Sequence, residues 1–404
     1  MFPVRWVLLL SLTSPAWASF MRGRYVTVEL LDGETCDITS PPYAARGDGV
    51  HNDTLSIQKA LDDARCSKII VPAGGVFLVS ALKISRSHTE LHIEEGATLL
   101  VSNDRAMWPG ERDVLSATEV EHLAITGGGT VDGQGLEWWQ HRDDFRPHLV
   151  QFSHVTHAIL ADTLYLNSPN HVLELYCDDC ELAGVKVLAP SSRGECKESN
   201  TCSHNTDAVD VHGSPFYVHG VNFTTGDDNV AVHANNTLVE DSYFGTGHGA
   251  SIGSLCNSWL TGIVFRNITF NGTKWGTRIK SKPNCSGHVW NITYKDLRMY
   301  DVQAAMILDQ FYDGAEKESD YIFDDILYRD ILVSLNTPLV KGPAVQFECS
   351  KRPGGEANCD VNMQNVKFIG SESANIVCNG TVGEAEGVEG LRGVEDCLKL
   401  KSPY

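Results

Sequence analysis

Short apolar runs that alternate with polar residues dominate the chain from Thr89 onward. T-E-L-H-I-E-E-G-A-T-L-L-V, E-H-L-A-I-T-G-G-G-T-V-D-G, P-F-Y-V-H-G-V-N-F-T-T-G-D-D-N-V-A-V and G-I-V-F-R-N-I-T-F-N-G share one style. Each is rich in Val, Ile and Leu and is broken by Gly, Asn, Asp or Ser. Such alternation over about four to six residues predicts strands, and the breaks predict turns. The units recur loosely at about twenty to thirty residues, which predicts an all-β stack of coils, each burying its apolar face against the next. A single-stranded parallel β-helix has this form. Its coils lie about 4.8 Å apart, so residues one period apart in sequence become neighbours in space. One helical pattern precedes the strands, from Thr54 to Ala64, with Leu55, Ile57, Ala60, Leu61 and Ala64 near one face. It is expected to cap the N-terminal end of the stack and cover the exposed sheet edge. A β-sandwich or a propeller also uses short strands, and periodicity alone leaves both open.

Composition narrows the setting. Of 404 residues, 42% are hydrophobic and 21% charged, which predicts an ordered globular chain. Residues 1–18 have the form of a secretory leader: Arg5, an apolar run from Val7 to Leu12, then Ala16-Trp17-Ala18. That run is too short to span a bilayer, so residues 19–404 are expected to form one secreted, extracellular domain with no membrane segment. Eight N-x-S/T sequons, at Asn52, Asn222, Asn235, Asn267, Asn271, Asn284, Asn291 and Asn379, agree with secretion. So do twelve cysteines, an even number. Local spacing suggests pairing of Cys196 with Cys202, Cys349 with Cys359 and Cys378 with Cys397, and more weakly of Cys36 with Cys66 and Cys256 with Cys285. Cys177-Asp178-Asp179-Cys180 lacks a second metal-spaced pair and reads as a structural disulfide. The formal charge of -20 and the lack of a basic stretch exclude nucleic acid as a partner.

Candidate chemistry is concentrated between His204 and Lys280. H-N-T-D (204–207), T-G-D-D-N-V-A-V (225–232), G-T-G-H-G-A-S-I-G-S (245–254) and R-I-K (278–280) follow one another at intervals of 21, 20 and 30 residues from Asp207 through Asp228 and His248 to Arg278. Singly, each motif has an ordinary structural reading: Asp and Asn favour turns, glycine permits tight ones, and Arg278 and Lys280 alternate about Ile279 as on a half-buried strand. Jointly, coil-sized intervals would gather three carboxylates, an imidazole, a guanidinium and an ammonium in one groove. Glycoside hydrolysis needs such a set: one carboxyl to protonate the leaving oxygen and another, ionised, to activate water or attack. Crowded carboxylates raise the pKa of at least one of them. Arg278 can grip a uronate carboxylate bidentately, and Lys280 can meet it as a point charge. His248 can tune the acid or touch the sugar. No cofactor and no metal are called for.

The set N-T-D, D-D, G-H-G and R-I-K, in this order, resembles the polygalacturonase family of glycoside hydrolases, which are right-handed parallel β-helices. Y-A-A-R-G-D-G-V-H-N-D-T near Tyr43, G-G-G-T-V-D-G-Q-G-L-E-W-W near Gly127 and L-N-S-P-N-H near Leu166 extend the likeness over almost the whole chain after the leader. The resemblance implies hydrolysis of α-1,4-galacturonosidic bonds in pectin of the cell wall, by a monomer, with inversion. It places the general acid on Asp227, the water-activating carboxylates on Asp207 and Asp228, and the motif histidine on His248. Arg278, Lys280, Tyr312 and Asn205 become substrate contacts. Two departures stand out: Asn229 and Phe244 occupy places where many members carry a cysteine pair, and a Cys- and charge-rich insert, Ser191 to Ser203, precedes N-T-D. Losing the pair predicts a less rigid site with the same chemistry. Carboxylates on adjacent coils would lie nearer the roughly 5 Å of retaining enzymes than the wider inverting gap, which leaves the stereochemistry open on physical grounds. A rhamnogalacturonan or xylogalacturonan hydrolase, a pectate lyase and a non-catalytic pectin-binding β-helix protein are the rival readings.

Overall fold

The computed structural model describes residues 26–108, 110, 113–140, 145–189, 202–314, 318–335, 342–351, 356–370 and 374–398. The expected leader, Cys196 and all but the last two residues of the insert before N-T-D lie outside the described residues. The described strands join in one continuous sheet system with parallel pairing from coil to coil, the β-helix that the sequence pattern predicts. Three faces wind around a common core, and one of them carries the candidate site. Its strands here are β1 (Leu173–Ala183), β2 (Val209–His212), β3 (Val230–Val232), β4 (Ala250–Leu255), β5 (Trp275–Ser281) and β6 (Ala304–Asp309).

Alternation decides which side chains enter the core. Register aligns Leu175, Val211, Val232, Ile252, Ile279 and Leu308 on successive coils, and all six are fully buried. A second interior ladder stacks Phe265, Tyr294 and Tyr328 at centroid spacings of 5.2 and 4.9 Å. Each coil thus buries one apolar layer against the next, which is why the sequence repeats in style without needing a strict motif.

The recurring Gly, Asn and Asp have an equally local cause. At one corner of the coil, Gly184, Gly220, Asp241, Asn267, Asp296, Asp330 and Asn365 adopt φ between +50° and +64°. That left-handed conformation favours residues with no or short polar side chains. Asn267 Nδ2 donates to Asp241 Oδ1 at 2.7 Å and Asn365 Nδ2 to Asp330 Oδ1 at 2.8 Å, so the corner is also hydrogen-bonded from coil to coil.

The helix Thr54–Asp62 caps the first coils with Ile57, Ala60 and Leu61 buried. Gln58 pairs with the edge strand: its amide nitrogen donates to Lys83 O at 2.9 Å and its oxygen accepts from Lys83 N at 2.8 Å. The side chain thereby occupies hydrogen-bonding groups that an uncovered edge would leave open. Two residues assigned to the apolar face do not lie there. Leu55 is 82% exposed, because it sits two positions before Ile57 and so on the opposite side of the helix. Ala64 lies past the helix end and is exposed.

Disulfides join Cys36 to Cys66, Cys177 to Cys180, Cys256 to Cys285, Cys349 to Cys359 and Cys378 to Cys397, each as the spacing suggests. None of the eight sequon asparagines is buried.

Candidate active site

Backbone register brings the carboxylates together. Val172 N donates to Asp207 O at 2.9 Å, Ala208 N to Asp228 O at 2.9 Å, and Asn229 N to Gly249 O at 3.0 Å. Asp210 pairs with Ala231 and Ala231 with Ser251, so the intervals of 21 and 20 residues each correspond to one coil. The interval of 30 does not. Arg278 pairs with Ser251, three residues past His248, because the next coil takes 27 residues. Arg278 still joins the site, since its long side chain reaches back across Ser251 to Asp228.

Asp228 is an anchored anion. Its Oδ1 accepts from Arg278 Nη2 at 2.7 Å and Ser251 Oγ at 2.8 Å, and its Oδ2 accepts from Lys280 Nζ at 2.8 Å. Burial pushes the Asp228 carboxyl up, but the charges of Lys280 and Arg278 overwhelm that effect and hold it far below the usual carboxylate range. Arg278 and Lys280 flank the inward Ile279, as their alternation predicts, and both lie against the Tyr312 ring at 5.7 and 5.0 Å from its centroid.

Asp227 is paired differently. His248 Nδ1 lies 2.8 Å from Asp227 Oδ1, and the His248 backbone N–H donates to Asp227 O at 2.7 Å. Burial raises the Asp227 carboxyl, yet the His248 hydrogen bond outweighs it and leaves the pKa below its ordinary value. Burial in turn lowers His248, and its bond to Asp227 more than reverses this, so the imidazole pKa is raised. Ligand atoms of Asp227, Asp228 and His248 all lie within 4.8 Å of one another.

Of the three motif carboxyls, only Asp207 has a raised pKa. Burial, followed by the negative charge of Asp227, pushes it up to about 7. His171, whose Nε2 lies 3.8 Å from Asp207 Oδ1, opposes this only in part. Asn205, with φ of +53°, is held by Arg146: Nη2 donates to Asn205 Oδ1 at 2.9 Å, while Nη1 donates to His204 O and Pro169 O.

The departure at Asn229 has a compensation. Its side chain is fully buried, donates to Phe223 O at 3.1 Å and Thr246 O at 3.2 Å, and accepts from Gly249 N at 2.8 Å. It ties the G-H-G turn to the preceding coil where a cysteine pair would stand, so the expected loosening has a direct counterweight.

Asp207, Asp227, Asp228, His248, Arg278, Lys280 and Tyr312 are thus linked in one cluster, while the Asn205 side chain is bound to Arg146. Sequence reasoning missed the groups that hold them: Ser251 between Asp228 and Arg278, Arg146 behind Asn205, and His171 beside Asp207. His171 was in view as the last residue of L-N-S-P-N-H, but nothing local marks its role. Arg146 precedes that motif by 20 residues and carries no signal.

This arrangement can be compared with known proteins. An Arabidopsis thaliana protein named Probable polygalacturonase is 31% identical over 299 residues, covering 70% of this chain and 62% of that protein. An endo-polygalacturonase of Pectobacterium carotovorum is 29% identical over 372 residues, covering 81% of this chain and 87% of the other. The chain spans less than two thirds of the length of the first plant relatives it matches. In fold, the crystal structure of a Thermotoga maritima exopolygalacturonase superposes with a TM-score of 0.79 at 18% identity, covering 94% of this chain and 96% of that one. The sequence model described as glycosyl hydrolases family 28 matches residues 62–386, which include every candidate site residue. The chain belongs to family 28 of the glycosyl hydrolases.

Proposed function

We propose that residues 19–404 form a single secreted catalytic domain, monomeric and extracellular, that hydrolyses α-1,4-galacturonosidic bonds of polygalacturonan with inversion. The observation that carries this reading is the adjacent pair Asp227 and Asp228 held by different partners, His248 for the first and the buried Arg278–Lys280 pair for the second. Adjacent carboxyls in unlike environments are what acid/base division requires. Asp228, pinned by three donors, is suited to hold and polarise the attacking water with Asp207. Asp227, which shares a hydrogen bond with His248, faces that pair and is suited to deliver the proton to the leaving oxygen.

The basic pair serves the substrate as well as Asp228. Two cations against one carboxylate leave one net positive charge in a chain of net charge -20. That local excess attracts the carboxylate of a galacturonate unit, and the Tyr312 ring beside both cations offers the sugar an apolar wall. Asn205, steadied by Arg146, lies at the N-T-D end of the groove and supplies a further polar contact.

A second assignment of the proton is favoured by one observation: Asp207, not Asp227, has the raised pKa in the substrate-free site. The three carboxyls act as one coupled set, and a proton resting on Asp207 can move to Asp227 when the sugar displaces charge around it.

Reducing-end release from polygalacturonate tests the reading. The natural chain should release new reducing ends, with products lacking ultraviolet absorbance, and Asp227→Asn should reduce the rate by at least about a hundredfold. Unsaturated, absorbing products would replace hydrolysis by elimination, and undiminished release by Asp227→Asn would remove the catalytic assignment. Proton NMR of the first anomer reports the stereochemistry, and product sizing separates internal from terminal cutting.

A further inference from the structure

His171, just before β1, is a titratable group that the proposed reaction leaves unused. Register pairs Val150 with Leu173, Leu173 with Val209, Asp210 with Ala231 and Val230 with Ala250. Continued back along the strands, the same alignment gives one column: His148, His171, Asp207, Asp228 and His248. Leu149 N donates to His171 O at 3.3 Å and Val172 N to Asp207 O at 2.9 Å, so the backbone here is tied to the coils on both sides. His171 therefore stands one coil before Asp207, in line with the candidate active site.

Three carboxyls surround its ring. Nδ1 lies 2.9 Å from Glu174 Oε2 and 3.4 Å from Asp210 Oδ2, and Nε2 lies 3.8 Å from Asp207 Oδ1. His148 packs on the other side with ring centroids 5.3 Å apart, its own Nδ1 turned to Asp113 Oδ1 at 2.9 Å. Glu174 is the anchor, because its Oε1 also meets His212 Nε2 at 3.2 Å. Burial raises the Glu174 carboxyl, but hydrogen bonds from His171 and His212 outweigh it and hold the group ionised. Glu174 thus accepts from Nδ1, which leaves Nε2 as the nitrogen facing Asp207. Burial favours a neutral carboxyl on Asp210, so that neighbour adds little charge.

We infer that His171, anchored by Glu174, is a positioning residue that acts through Asp207: its imidazolium is the counter-charge that lets this buried carboxyl ionise beside Asp227 and Asp228. Burial lowers the His171 pKa, but the charge of Asp207 and then the bond to Glu174 reverse this and push it up to about 10. The ring therefore carries its charge throughout the range in which Asp207, at about 7, gains and loses its proton. Lys280 also favours the Asp207 anion, but its ammonium is bound to Asp228 Oδ2 at 2.8 Å. An opposite charge within about 4–6 Å lowers a carboxyl pKa by about 1–3. Without His171, burial and the two neighbouring aspartates would act on Asp207 with little to oppose them. The water-holding pair of Asp207 and Asp228 would then lose one of its two anions at mild pH.

This role rests on the acid/base reading proposed above, and two measurements separate them. In pH profiles of reducing-end release from polygalacturonate, the limb that Asp207→Asn abolishes should move to higher pH by about one unit or more in His171→Gln and His171→Asn. NMR of the chain with labelled histidines reads the coupling without catalysis: the His171 ring should stay charged well above pH 7, and Asp207→Asn should bring its titration down. Melting temperatures show which variants fold; if neither histidine variant does, the NMR coupling carries the test. A limb that stays in place in a folded histidine variant, or a His171 titration indifferent to Asp207→Asn, would overturn the assignment. Undiminished release by Asp227→Asn would instead overturn the acid/base reading, while the NMR result would still decide whether His171 sets the charge on Asp207.

Discussion

Single residues set the protonation of the groove. Asp207 has a pKa of about 7 against an ordinary 3.8, so between those values the folded chain holds a proton that the unfolded chain has released. Its contribution to stability is therefore full below about pH 4 and is lost as pH rises through about 7. If that proton serves the reaction, kcat/KM on polygalacturonate falls as pH rises through the same value. Asp207→Asn removes that limb from the pH profile as well as lowering the rate; an unchanged limb would assign it to another group. Asn229 makes a separate claim. Replacing it with Ala takes from Gly249 N the acceptor it uses, whereas Phe223 O and Thr246 O keep backbone donors in Gly245 N and Thr225 N. A buried donor left without its acceptor costs about 1–3 kcal/mol, so Asn229→Ala should unfold several degrees earlier and show lower activity as the His248 turn loosens. Equal melting temperatures would mean that water replaces the amide.

At the scale of strands and coils, the chain explains what could be read in advance and what could not. Alternation about Ile279 was legible because a strand has period two, and β5 buries Ile279 completely while Arg278 and Lys280 turn to the groove. Ile279→Ala should therefore cost about 2–5 kcal/mol by leaving a hole between Ile252 and Leu308, as measured by chemical denaturation. A cost below about 1 kcal/mol would mean that neighbouring layers collapse onto it. The intervals of 21 and 20 residues were legible for the same reason: short coils leave little room for error. The third interval was not. It crosses a longer coil, in which the strand Ser258–Asn271 adds residues before the face returns, and loop length of that kind follows no local rule. Leu55 misled because it is apolar, although it lies on the side of the helix opposite Ile57. Supporting residues such as Arg146 and Ser251 stayed hidden because their roles depend on partners 59 and 23 residues away in sequence.

The whole molecule is a stack in which each coil touches chiefly the coils on either side, so stability is close to a sum of neighbour terms and loss of structure begins at the ends. The disulfides answer that weakness. Cys36–Cys66 joins the first paired strands, and Cys378–Cys397 fastens the short helix Val394–Cys397 to the last described coil. The groove, between Asp207 and Tyr312, lies well inside these end staples, with Cys256–Cys285 bracing its own coils. A disulfide closing a loop of this size contributes about 2–4 kcal/mol. That contribution falls on the coil it closes. Replacing Cys378 and Cys397 together by Ser should thus raise amide hydrogen exchange first in Cys359–Ile369 and Thr381–Glu386, the terminal strands. Exchange in β2 to β5 should change little, and activity at moderate temperature should persist. Heating should then separate the two forms, because fraying that begins at an unfastened end has fewer layers to cross before it reaches β6 and Tyr312. Uniform deprotection across all coils would show instead that the stack unfolds as one cooperative block, with end and centre equally exposed to the loss.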